Sequence, residues 1–191
     1  MRTRSIAGWG IVAVLAVLAL SACGSSGSGA QSPTSTSNPF ENASWEKATP
    51  NPSISAQMVC SKEARDDIAA TLLMKAKAVT KPKWVRKDHL YSCAYVYPSG
   101  KIVLSVKELS NGTETTNYFE SIKRKYGTID DLNGVGQGAW VLKNGDVVVR
   151  KDYKVLLVEV TGIPADFAPA MRRSDVAVSI GSVIMSCWTG A

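Results

Sequence analysis

Ile6 to Leu20 is a run of fifteen uncharged residues, dense in Ala, Val and Leu, behind a start that carries Arg2 and Arg4. No other feature constrains the chain as strongly, because basic residues followed by hydrocarbon form the pattern of a secretory signal. The run is shorter than the roughly 20 apolar residues a helix needs to span a bilayer. Removal of residues 1–22 on export is therefore expected, with folding outside the cytoplasm. Leu20-Ser21-Ala22-Cys23 closes the run. Two small residues suit a narrow peptidase cleft, and the thiol after them can accept a diacylglyceryl group. The pattern predicts cleavage between Ala22 and Cys23 and lipidation of Cys23. Two or more acyl chains on one residue give stable anchoring, at about 0.8 kcal/mol per buried CH₂.

Gly24 to Pro39 contains only Gly, Ser, Ala, Gln, Pro, Thr and Asn. Such a stretch cannot bury enough surface to offset its ordering entropy, which predicts a flexible tether. Low complexity continues loosely to Ser55, so residues 23–55 read as a lipidated cysteine and linker with a coil reach of roughly 30 Å. Residues 56–191 are left for one domain of ordinary size. The whole chain is 45% hydrophobic, enough for a core. Its 22 Lys+Arg against 16 Asp+Glu give +6, and +4 without Arg2 and Arg4. That balance is too weak to indicate a nucleic-acid partner.

Within the domain, Ser61 and Glu63 open a predicted helix over 61–74, with Ile68, Leu72 and Leu73 at helical spacing. Residues 90–97 and 101–109 read as strands joined at Pro98-Ser99-Gly100. A second helix is predicted over 116–126, closed by Gly127. Strands follow over 139–142 and 146–151, flanking Asn144-Gly145, a type I′ hairpin signal. A further strand covers 155–160. Ser174 and Asp175 open a last helix through Val176, Ile180, Val183, Ile184 and Cys187, although Val176, Val178 and Ile180 also alternate as a strand would. The expected fold is α+β, an antiparallel sheet with about three helices packed against it.

With Cys23 lipidated, Cys60, Cys93 and Cys187 remain, and an extracytoplasmic location favours oxidation. Cys60–Cys93 is the favoured pair, tying the first helix to the first hairpin and leaving Cys187 as a buried thiol beside Trp188. A bridge that includes Cys187 is the competing arrangement. No cysteine spacing suits a metal, so neither a metal site nor a cofactor is expected. His89 is the one histidine in the chain and has no nucleophile motif around it; no catalytic residue is assigned. Gly134-Val135-Gly136-Gln137-Gly138-Ala139 matches a dinucleotide fingerprint in letters. It lacks the preceding strand and following helix, so a tight loop feeding a strand is expected. Lys75, Lys77, Lys81, Lys83, Arg86 and Lys87 crowd six cations around Trp84. They suit either a solvated connector or contact with anionic headgroups or wall polymers.

Leu20-Ser21-Ala22-Cys23, the polar tether, the Cys60…Cys93 spacing, the glycine loop before Ala139 and the β-meander after it together resemble an actinobacterial secreted lipoprotein family whose domain has no assigned function. The pattern is also similar to the extracellular sensor domains of mycobacterial Ser/Thr kinases. Where the family's glycine loop commonly carries an Asp, this chain has Gln137. The resemblance implies an α+β, sensor-like fold at the cell surface. The functional expectation is a non-enzymatic binding or sensing module, held on the outer face of the membrane by its lipid and engaging an envelope ligand or protein. A wall-modifying hydrolase using paired carboxylates is the alternative.

Overall fold

The computed structural model describes residues 47–168 and 171–188. Among them, eight strands form one antiparallel sheet. In chain order the elements are α1 (Ile54–Met58), α2 (Lys62–Leu72), β1 (Ala78–Val79), β2 (Lys83–Val85), a 3₁₀ turn η1 (Arg86–Asp88), β3 (Leu90–Tyr97), β4 (Gly100–Glu108), α3 (Gly112–Tyr126), β5 (Thr128–Asp131), β6 (Gly138–Leu142), β7 (Val147–Lys151), β8 (Lys154–Glu159) and α4 (Arg173–Cys187). The strand order is β1-β3-β4-β8-β7-β6-β5, with β2 beside β1 on the outer side of β3. The α+β expectation holds.

Alternation along the strands sends side chains to two different cores. Tyr95 and Tyr97 of β3, Ile102 and Leu104 of β4, Leu156 and Val158 of β8, and Val147 and Val149 of β7 share one face. That face is closed by Val176, Ile180 and Ile184 of α4, with Ile68 and Leu72 of α2 joining the same core and α2 lying against α4. On the opposite face, Phe119 and Ile122 of α3 meet Trp140, Leu142, Val148 and Val155. Phe119 stacks on Trp140 at 3.9 Å between ring centroids, and the Lys123 ammonium sits 4.2 Å from the Trp140 ring centre, a cation–π contact.

Several boundaries differ from expectation, each for a local reason. The first helix ends at Leu72, because Leu73 takes a left-handed cap conformation (φ +51°) and stands 93% exposed. The second starts at Gly112, where the Asn111 side chain accepts from Glu114 N–H. The last starts at Arg173 rather than Ser174; Asp175 reaches back to the Arg172 N–H at 3.1 Å. Residues 176–180 are helix, and the strand alternative falls. Asn144-Gly145 does not form a two-residue I′ turn. Gly145 alone has positive φ (+91°), Gly145 N–H donates to Leu142 O and Leu142 N–H to Asp146 O, giving a three-residue loop with a left-handed third position. Gly100 has φ +153°, and a Cβ there would lie 2.2 Å from Gly162 O, so the β3–β4 turn requires glycine.

The ordered fold also begins before residue 56. Ala48 N–H donates to Leu109 O at 3.0 Å, and Ser53 caps α1. Residues 48–53 lie on the domain as a strap.

Candidate functional site

The strap is held at the β2–η1 end of the sheet through its carbonyls. Pro50 O accepts from Trp84 Nε1 and from Arg86 Nε, both at 3.0 Å, and Thr49 O lies 3.0 Å from His89 Nδ1. The His89 ring meets Trp84 edge-on at 5.9 Å, and His89 itself has the left-handed φ of +44° that ends the 3₁₀ turn. Farther along, Glu108 Oε1 accepts from Ser53 N–H at 2.9 Å and from the Ser53 hydroxyl. Glu108 is 2% exposed; both donors fall on Oε1, while Oε2 is buried with no hydrogen-bond partner. The one histidine is thus a bracket for the incoming chain. Backbone carbonyls carry most of this contact, and side-chain pattern gives no signal for them.

The basic stretch is not a plain connector. It builds β1, β2 and η1, and leaves Lys75, Lys77, Lys81, Lys83, Arg86 and Lys87 exposed. Ala76, Val79 and Trp84 turn inward and pack against the core, Trp84 directly across from Tyr91 of β3.

Cys60 and Cys93 are joined, tying the turn before α2 to the middle of β3. Beside them, Val59 O accepts from the Tyr95 hydroxyl at 2.7 Å. Burial pushes the Tyr97 phenol up to about 12 and raises Tyr95 as well, with the neighbouring Tyr97 adding to the latter. Cys187 is unbridged but, against expectation, only half-buried. The chain turns at Trp188, and it is that indole, 1% exposed, that fills the core. The Cys187 thiol donates to Asp67 at 3.4 Å. Glu63, Asp67 and Cys187 bring three donor atoms within 4.8 Å of one another.

At the far edge of the sheet, β5 and the start of α4 enclose a groove of about 410 Å³. Its apolar floor is Leu132, Val141 and Val178, and its polar wall is Asp130, Arg172, Ser174 and Asp175. Ile129, 61% exposed, stands at the rim. The Arg172 guanidinium binds Asp175 at 2.9 Å and holds that carboxyl below the usual carboxylate range. Residues 128–133 were expected to be a polar lead into the glycine loop; Thr128–Asp131 is an edge strand instead. With Ile129 its single apolar residue, the strand has no alternation to reveal it.

The glycine loop serves the β7–β8 turn. Gln137 N–H donates to Arg150 O at 2.8 Å, and its amide oxygen accepts from Asp152 N–H at 2.9 Å. Gly136 has φ +60°, where a Cβ would sit 2.6 Å from Arg150 O. The loop therefore braces a hairpin, consistent with the expectation for it.

Asp146 and Glu159 are two nearby carboxylates with raised pKa values. Burial raises Asp146 against hydrogen bonds from Val160 N–H and Asn144; burial raises Glu159, and the Asp146 charge adds to it. Asp146 Oδ1 accepts from Val160 N–H at 2.7 Å, holding the β6–β7 loop to the residue after β8, and Oδ2 accepts from Asn144 at 2.6 Å within the loop, so both oxygens are engaged.

Cys23 and Ala22 lie outside the described residues. Compared with family models, curated proteins and solved structures, the chain has no match.

Proposed function

We propose that this chain is a lipoprotein on the outer face of the cell membrane whose domain binds an envelope component or a protein partner without turnover. The anchor rests on the sequence from Arg2 to Cys23 and on the polar stretch after it. The observation that carries the binding role is the β5–α4 groove. It joins an apolar floor to a few fixed polar groups, the usual make-up of a ligand site. It also lies at the opposite edge of the sheet from β1 and β2, six strand spacings or about 29 Å along the strand order. His89 is occupied with the strap. The hydrolase alternative draws on the Asp146–Glu159 pair, yet Asp146 is 4% exposed with both oxygens engaged, which leaves Glu159 without a working partner.

The test has two arms. Cys23→Ser is expected to abolish acylation and leave the precursor uncut ahead of residue 23. A photoreactive side chain at Ile129 of the lipidated protein is expected to give a discrete adduct in the native envelope that the same group at exposed Leu73 does not. Identical labelling from both positions would remove the groove. A hydrolytic activity on wall material, lost in folded Glu159→Gln, would replace binding by catalysis.

A further inference from the structure

The six cations between Lys75 and Lys87 exceed what edge protection requires. Edge strands are commonly blunted with a charge or a proline, and Pro82 already interrupts this edge between β1 and β2. Residues 68–87 contain no acid at all. All six cations are exposed, and among the described residues none is paired with a carboxylate. The opposite edge carries Asp130 and Asp131 instead. The sheet is thus basic along one edge and acidic along the other.

The described chain begins near one end of this edge: Ala48 N–H donates to Leu109 O just past β4, and Trp84, Arg86 and His89 hold the carbonyls of Thr49 and Pro50. We infer that this edge, from Lys75 to Lys87, is a docking surface for the anionic phospholipid headgroups of the membrane that carries the anchor. The inference rests on the lipoprotein reading above. Twenty-four residues, 24–47, separate Cys23 from the strap, a coil reach of roughly 27 Å. The basic edge is therefore held near the headgroups at an effective concentration in the millimolar range. There, each cation close to an anionic surface strengthens contact about fivefold, and a few suffice to keep the edge down. The β5 groove then faces away from the bilayer.

The acylated full chain, reconstituted into vesicles of phosphatidylcholine alone or with one-third phosphatidylglycerol, tests this by lysine footprinting. Lys75, Lys81, Lys83 and Lys87 are expected to lose at least about fivefold in reactivity on the anionic vesicles, with recovery in high salt. Lys123 of α3 and Lys143 after β6, away from this edge, should not change. In the triple variant Lys81→Glu, Lys83→Glu, Lys87→Glu, the protection of Lys75 and Lys77 should vanish while flotation persists. Flotation on neutral vesicles reports the anchor separately. A chain that does not float there overturns the anchored reading and this inference with it. A chain that floats with equal lysine reactivity on both vesicles overturns the docking surface alone, as does protection by soluble anionic wall polymer but not by vesicles.

Discussion

The two edges of the sheet are built on different terms. At the β1/β2 edge, the Cys60–Cys93 bridge ties the front of α2 to β3, the strap lies across the edge, and Glu108 fastens Ser53 from within. At the β5 edge a four-residue strand pairs with β6 alone, shifts register between Thr128 and Asp130, and leaves Ile129 in solvent. One edge is secured by a covalent bond and buried polar contacts; the other has a groove and few bonds. Bonds are concentrated at the edge that receives residues 48–53, and an open surface is left at the other. Local stability in proteins is commonly uneven in this way, with binding elements at the low end.

Substitutions can break that contrast in graded steps. The largest effect is expected from replacing both Cys60 and Cys93 by Ala. Their sequence separation is 33, and closing a loop of that size contributes about 3.7 kcal/mol by chain entropy. Denaturant unfolding of the variant measures it, and a loss under about 1 kcal/mol would put the two edges on an equal footing. Next is Glu108→Ala, expected to cost about 2 kcal/mol by removing a charged acceptor from two buried donors. Limited proteolysis should then cut within residues 47–53; unchanged resistance there would show that the bracket on Pro50 holds the strap unaided. The smallest effect belongs to the free edge. Ile129→Ser should move stability by less than about 0.5 kcal/mol, as exposed substitutions do, while weakening whatever the groove captures. A destabilisation comparable to Glu108→Ala would mean that β5 is part of the core after all.

What could be read from the chain depended on whether side chains or backbone groups made the structure. Tyr91 to Tyr97 and Ile102 to Val106 alternate cleanly because every second residue enters the core, so β3 and β4 were legible. The Cys60–Cys93 pairing, favoured because it ties the first helix to the first hairpin, is present, and the glycine loop is a loop. The strap was not legible: Thr49 and Pro50 engage the domain through carbonyls, which a polar, proline-rich stretch does not advertise. The strands β1, β2 and β5 are two to four residues long, below the length at which a period can be counted. Cys187 was expected to be buried because it continues the apolar face of α4, but the helix ends there and Trp188 takes the inward position. Of the groove residues, Ser174 and Asp175 read only as the opening of the helix and Val178 only as part of a strand alternation; the groove itself forms where α4 meets β5, which no local pattern encodes.

The placement of the disulfide has a mechanical consequence. On the proposed lipid anchor, a load from the membrane would enter the described fold at its N-terminal end. Such a load would reach the hydrogen bonds at Ala48, Thr49 and Pro50 first, then the Ser53–Glu108 contact, and then Cys60. There the pull passes through sulfur into the middle of β3. The chain that can peel away before that point runs from residue 48 to 59, twelve residues or about 40 Å when extended. The strap acts as a short fuse of recoverable length, and the sheet behind it is loaded across its strands only after that length has been drawn out.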